Sequence, residues 1–433
     1  MQKMMQKIEN WVFYVFLFAI PISLRHIFDY QSFGYIEWQA KYLYATDILL
    51  GILLIFWIWN RRGGRSELTS PGLVKADYFL LGFVAVAGIS IQNALDVGTA
   101  WFQFAKLIEG VLLYFYIKNY ALNRFDMTAG FTALVAGGIF QAGIAIVQYG
   151  LQGSIGLQWL GESVFNNVMP GVAAFYAAGE KIVRVYGTTP HPNVLAAYFF
   201  IAIGAFYGRS MLRHVNGWWL LGYNLILWGL LLTYSRTIIG MAAIIFIAWS
   251  AMAGYLLFVR KTFVSREAAE NSLKIIVSTV IVVGIFTAFN WPYVVNRLTI
   301  SSNDEAVQLR MLYNRESLEA DENLLGLGIG NFVPWLMTQD LHLQRSLYQP
   351  VHNIYLLIKA ETGLVGLGLF LSFLALLWRD YYKRLGFKKL YHFSFALIVA
   401  SILIFGLFDH FLWTIQAGRL MFWIALGLLA GAK

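Results

Sequence analysis

The sequence predicts an all-α polytopic integral membrane protein with about twelve transmembrane helices. Three observations lead there. Of 433 residues, 59% are hydrophobic and 13% charged, with a mean hydropathy of +0.62, and a soluble domain of that length cannot hide so much apolar surface. Apolar runs approaching the length of a span, about 20 residues, recur from end to end. Basic residues also segregate between alternate connecting segments, as the positive-inside rule requires.

In chain order, the candidate spans lie near 10–25, 43–60, 77–95, 100–118, 128–149, 193–208, 217–234, 237–259, 275–291, 353–378, 391–408 and 412–431. The first follows a basic start that resembles a signal peptide. It has no small-residue cleavage site and further spans follow it, so it reads as a retained helix. With both termini cytoplasmic, 20 of the 32 Lys and Arg residues fall in inner segments and 9 in outer ones, while Lys106, Lys359 and Arg419 lie within spans. Most of the net charge of +9 is therefore topological, which argues against a nucleic-acid partner. Cysteine is absent, so no disulfide framework exists.

Residues 1–433 read as a single membrane domain. Two outer segments are long, 150–192 and 292–351, the second between the ninth and tenth spans and expected to carry part of a site. Its start reads as a short surface helix, with Ser302 or Asn303 as cap and Asp304 and Glu305 in the first turn. It closes at the glycine-rich GLGIG, residues 326–330.

The stretch VHNIYLLIKAETGLVGLGLF, 351–370, carries unusual polarity for a span. At 100° per residue, His352, Tyr355, Leu356, Lys359, Gly363 and Gly366 share a stripe and Glu361 points away. Glycines there admit another backbone or a lipid chain. An imidazole at its outer end suits a general base, or merely an interfacial His-Asn cap. Arg236, in TYSRTIIG, has no Asp or Glu anywhere between Glu180 and Glu267. An unpaired guanidinium at a membrane surface suits a phosphate, or else lipid headgroups. Arg315 has Glu319 at i+4, whereas Arg310 has no acid at helix spacing, so Arg310 is the ligand candidate. Arg184 has Glu180 at i−4 as a competing partner. His191 lies between prolines before a helix that Asn193 can cap. Asp409 and His410 sit at the outer mouth between the last two spans, where ionisable residues are functional candidates, as a mutual pair or facing an arginine. No H-x-x-x-H, Asp-x-Asp, phosphate loop or GxGxxG occurs, so neither metal nor cofactor is expected.

Together these residues resemble the O-antigen ligase and polymerase family of bacterial membrane glycosyltransferases. The resemblance rests on His352-Asn353, nine residues, then Gly363-Leu-Val-Gly366, after a large outer loop. The Ser235-Arg236 pair, Arg310 ahead of GLGIGNF, His191-Pro-Asn193 and the late Asp409 are similar to further family features. The resemblance implies metal-independent, inverting transfer of a glycan from undecaprenyl diphosphate to an acceptor hydroxyl on the outer face of the bacterial inner membrane. It implies lipid A-core, a glycan or a protein as acceptor, since ligases, repeat-unit polymerases and protein O-oligosaccharyltransferases share this chemistry. His352 would take the proton, with Arg236, Arg310 and Arg184 neutralising the leaving diphosphate. His191, Asn193, Asn353, Asp409 and His410 would contact substrate, and Gly363 and Gly366 would line a groove for the polyprenyl chain or membrane lipid. A small-solute transporter is the alternative from another class. Against it, the two halves show no matched Gly/Pro-broken spans, and the polar candidates crowd one outer face.

Overall fold

The computed structural model describes residues 2–29, 37–62, 72–177, 179–260, 265–299, 305–320, 324–339, 341–385 and 390–432. A helix stands at each of the twelve apolar positions expected. These are α1 (Gln2–Ala19), α2 (Ala45–Arg62), α3 (Lys75–Ser90), α4 (Val97–Tyr116), α5 (Met127–Leu151), α6 (Pro192–Ser210), α7 (Gly217–Leu232), α8 (Arg236–Gly254) and α9 (Arg266–Phe289). After the surface helix α10 (Glu305–Glu319) come α11 (Ile354–Leu385), α12 (Leu390–Phe405) and α13 (Gln416–Gly431). Among the described residues six are long and apolar enough to cross a membrane, α3 continued to Asn93, α4 continued to Arg124, α5, α8, α9 and α11, and α7, α12 and α13 are apolar but shorter. Apolar runs alone do not separate lipid-facing helices from buried ones. The 192–210 helix shows why: α6 is buried except at Asn193, Ile201, Gly208 and Arg209, the mark of a helix enclosed by others.

Two short antiparallel pairs depart from the all-α expectation. Strand β1 (Arg25–Asp29) pairs with β2 (Lys41–Tyr44), and β3 (Ala174–Ala177) with β4 (Glu180–Val183). Both lie in loops between helices, and each strand carries β-branched or aromatic residues that favour extended backbone.

Around α6, α5 packs on both α6 and α7, α13 on α4, and α11 on α3. The α3–α11 seam includes Phe83 against Phe370, with ring centroids 5.3 Å apart. α10 spans the charged part of the long loop; the expected caps Ser302 and Asn303 lie outside the described residues. Arg315 pairs with Glu319 at 2.8 Å on its exposed face, as the i+4 spacing predicts.

α11 is not one regular helix. Gly363 has φ +70° and ψ −177°, a conformation essentially restricted to glycine, and it breaks the helix. The 324–332 segment docks there: Leu327 N–H donates to the Ala360 carbonyl at 2.8 Å and Gly328 N–H to the Glu361 carbonyl at 3.0 Å. The Glu361 carboxylate in turn receives the backbone N–H groups of Gly330 and Phe332 and the Trp413 side chain. The glycine stripe therefore admits the chain's own backbone at Gly363, where an added Cβ would lie 1.9 Å from the Leu324 carbonyl oxygen. At Gly366 the space belongs to the Thr362 side chain and Val86 of α3. The lipid groove expected along this stripe is thus filled by protein.

Gly363→Ala should lower stability by at least about 2 kcal/mol, read as the thermal unfolding midpoint in detergent. Gly368→Ala, where nothing lies within 4 Å of the added methyl, should be neutral or slightly stabilising. Equal midpoints for the two variants would contradict the docking account.

Candidate active site

Four chain segments converge at one end of the bundle: the starts of α6 and α8, the residues before α11, and the turn between α12 and α13. Three of them meet at the amide of Asn193. The sequence suggested Asn193 as the cap of α6, but Pro192 occupies the first helical position and the cap falls to His191, whose Nδ1 accepts from Asn193 N–H at 3.1 Å. The Asn193 side chain is thereby released for tertiary contacts. Its Oδ1 accepts from Arg184 at 2.6 Å and from the Ser235 hydroxyl at 3.0 Å, and its Nδ2 donates to Asp409 at 2.7 Å.

Arg184 also donates through Nε to the Thr233 carbonyl at 2.6 Å. The Glu180 partner suggested by i−4 spacing is not used, because residues 180–183 form a strand. Four residues of strand span about 13 Å, whereas one helical turn brings them together.

Asp409 neither pairs with an arginine nor forms an ion pair with His410. Its second oxygen accepts from the His410 backbone N–H at 2.8 Å. The His410 ring shares a 2.7 Å hydrogen bond at Nδ1 with the Thr414 hydroxyl, and packs edge-on against Trp38 and His352, each with centroids 4.9 Å apart.

His352 sits outside α11, which starts at Ile354. The helical-stripe argument therefore fails for this residue. Asn353 caps the helix, its Oδ1 accepting from Tyr355 N–H at 2.9 Å and Leu356 N–H at 3.2 Å. The imidazole instead lies parallel to Tyr313 of α10, centroids 6.0 Å apart, and its Nδ1 is buried without a hydrogen-bond partner. Arg310 stands one turn earlier on α10. It is exposed, and among the described residues no ion pair or hydrogen bond holds it. Its charge nonetheless acts on His352, His191, His410 and Arg184, which places it over the same cluster. Lys359 donates to the Leu318 carbonyl at 3.3 Å, in the last turn of α10, where a cation also meets the negative end of the helix dipole.

Arg236 is not part of this cluster. It donates to the Thr299 carbonyl at 3.0 Å beyond the short helix Trp291–Leu298, and its Nε is buried without a partner. Sequence reasoning passed over Arg297, counted there only as an outer basic residue. It donates to the Tyr234 carbonyl at 3.3 Å, covers the Phe175 ring at 5.3 Å, and is the strongest charged influence on Arg184. The available signal was an arginine closing an amphipathic helix with Glu270 and Asp304 as the nearest acids.

Burial dominates the electrostatics. It drives the imidazoles of His191 and His410 down to about 3 and lowers that of His352, helped by Arg310 and opposed by Asp409. Burial, then Arg297, brings Arg184 down to about 9, still cationic at neutral pH. Burial works against ionisation of Asp409, but the surrounding imidazoles and the Asn193 amide outweigh it and hold the carboxyl well below its usual range. At neutral pH the cluster thus presents neutral histidines, one carboxylate and several guanidinium groups.

The ligand atoms of His352, Asp409 and His410 lie within 4.8 Å of one another, a grouping invisible in linear spacing that could hold a metal ion. However, both Asp409 oxygens and His410 Nδ1 already have partners. With one carboxylate among several arginines, the charge favours an anion over a divalent cation.

Asn193→Ala removes three bonds and leaves Arg184 and Asp409 under-satisfied. It should cost about 2–4 kcal/mol in thermal unfolding, and Ser235→Ala about 1 kcal/mol. An Asn193→Ala protein as stable as the parent would refute the central role of this amide.

No curated protein matches the chain. Residues 221–371 match the family model described as O-antigen ligase. That stretch runs from α7 through Arg236, Arg297, Arg310 and His352 into α11, and over it the chain is similar to the O-antigen ligase family.

Proposed function

We propose that the protein is an O-antigen ligase-like enzyme of the bacterial inner membrane, with both termini cytoplasmic and its site on the outer face. It transfers a glycan from undecaprenyl diphosphate to an acceptor hydroxyl, with lipid A-core as acceptor. Repeat-unit polymerisation and protein O-glycosylation differ from this only in the acceptor. The observation that carries the reading is the His352 imidazole, neutral, with an unpartnered Nδ1, beside the Arg310 and Arg184 guanidinium groups, which form no ion pair with a carboxylate among the described residues. The family match over residues 221–371 supports it.

The acceptor oxygen attacks the anomeric carbon as the bond from that carbon to the phosphate oxygen breaks. The electron pair leaves with undecaprenyl diphosphate, and the acceptor proton passes to His352. Single displacement inverts the anomeric configuration. Negative charge grows on the diphosphate, and Arg310 and Arg184, with Arg236 and Arg297 farther along, are fixed charges for it. Asp409 stabilises the imidazolium that forms.

An apolar groove among α6, α7, α8, α9 and α12 supports the donor assignment. Its walls include Leu231, near the end of α7, and Ile239, one helical turn from Ser235 on α8. A diphosphate held at the arginines would lead its polyprenyl chain into this groove, in place of the glycine stripe on α11.

The test is transfer by purified protein from undecaprenyl-diphosphate-linked oligosaccharide to lipid A-core in EDTA. Activity should survive chelation; its loss, with recovery on adding a divalent cation, would contradict the reading. Arg310→Ala should reduce kcat about 100-fold or more, while Arg315→Ala, at an exposed helix pair, should stay within about twofold. Arg315→Ala proving the more damaging would reverse the assignment of the loop arginines.

The pH profile adds a sign. The base must be deprotonated, so activity falls as pH drops through the His352 value, below the ordinary imidazole range near 6.5. Asp409→Asn removes the charge that raises this value while burial and Arg310 still lower it, so the acid limb should move to lower pH. A shift upward would contradict the electrostatics.

A further inference from the structure

A second cleft adjoins the cluster from the side away from the arginines. Trp38, Phe102, Trp413, Gln416, Arg419 and Glu361 line it. It reaches the imidazoles through the residues that touch them. Thr414, which bonds His410 Nδ1, is in its wall, as is Trp38, which packs on the His410 ring. Pro350, two residues before His352, is there too, while none of Arg184, Arg236, Arg297 and Arg310 lines it.

Its chemistry differs from that of the arginine side, because its charges are already matched. Lys106 is held by Asp47 at 2.5 Å and Glu109 at 2.8 Å. Arg419 donates to the Trp413 carbonyl at 2.6 Å and to Gln103, and attracts the buried Glu361. An anion would meet Glu361 and Glu37, and a cation would meet Arg419 and Lys106. Aromatic faces and hydrogen-bonding groups remain. One group lacks a partner: Gln416 donates its amide to Asp47 at 2.5 Å and Glu109 at 2.8 Å, leaving its Oε1 buried and unpaired. A buried acceptor without a donor is unfavourable by about 1–3 kcal/mol, relieved by a ligand hydroxyl.

We infer that this cleft is the acceptor subsite and takes an uncharged sugar ring, stacked on Trp38 or Trp413 and donating a hydroxyl to Gln416. The assignment rests on the glycosyl-transfer reading, which requires an acceptor hydroxyl to approach His352 from the face opposite the departing diphosphate. Aromatic walls with a few fixed polar groups are the usual make-up of a small-ligand site.

The test is saturation-transfer NMR on the full chain in detergent, with D-glucose, D-galactose and N-acetyl-D-glucosamine as probes and D-glucuronate and D-glucosamine as charged contrasts. At least one neutral sugar should show transfer exceeding that of both charged sugars. The signal should fall at least fivefold in Gln416→Leu and Trp38→Ala and persist in Arg310→Ala. Trp38 lies in a loop, so its variant keeps the test open if Gln416→Leu does not fold. Absence of signal from every neutral sugar, or a signal unchanged in Trp38→Ala, would overturn the subsite. Sugar binding with this pattern in a protein that transfers no glycan would sink the proposed reaction and leave the subsite standing. Glycan transfer by a protein whose acceptor KM is unmoved by Trp38→Ala would do the reverse.

Discussion

The imidazole end of the bundle depends on the backbone seam between the 324–332 segment and the broken turn of α11. Two interchain-like bonds, from Leu327 and Gly328 to the carbonyls of Ala360 and Glu361, exist because Gly363 leaves the helical conformation there. The Glu361 carboxylate extends the same seam by gathering the N–H groups of Gly330 and Phe332. Each bond contributes about 1 kcal/mol net, but their structural effect is larger than their energy. The seam fixes the chain that follows α10, and α10 carries both Arg310 and the Tyr313 ring that faces His352. Lys359 ties the far end of α10 to the same helix through Leu318.

On that foundation the polar residues divide into two groups with different electrostatics. Toward α6 and α8, guanidinium groups exceed carboxylates, and Asn193 holds Arg184 and Asp409 at fixed positions. Toward α4 and α13, acids and bases pair with one another inside the bundle, as charges within a membrane domain must. The turn bearing Asp409 and His410 separates the two. Neutral histidines therefore sit between a cationic region and a balanced, aromatic one, an arrangement suited to a reaction with one anionic and one uncharged partner.

Much of this was legible in the sequence, and the misses share a cause. Twelve helices stand where apolar runs placed them, because helix length and hydrophobicity are local properties. The Arg315–Glu319 pair was readable from spacing for the same reason. Arg310, singled out by its lack of local acids, and His352, singled out by its place beside the loop, are brought to one cluster by the fold. What linear spacing misjudged were residues whose backbone is not helical. His352 precedes its helix, Arg184 follows a strand, and Gly363 breaks the stripe it was thought to join. Asn193 and Glu361 were misread or undervalued because their partners lie hundreds of residues away or on another loop.

The central claim is a single displacement in which His352 takes the acceptor proton while the diphosphate leaves toward the arginines. The anomeric configuration of the new linkage tests it most directly. A donor of known configuration at the diphosphate-linked carbon would be transferred by the purified protein, and the product examined by NMR. The account predicts complete inversion. Retention would require a covalent intermediate or a second displacement, and would contradict His352 acting as the base in a one-step transfer.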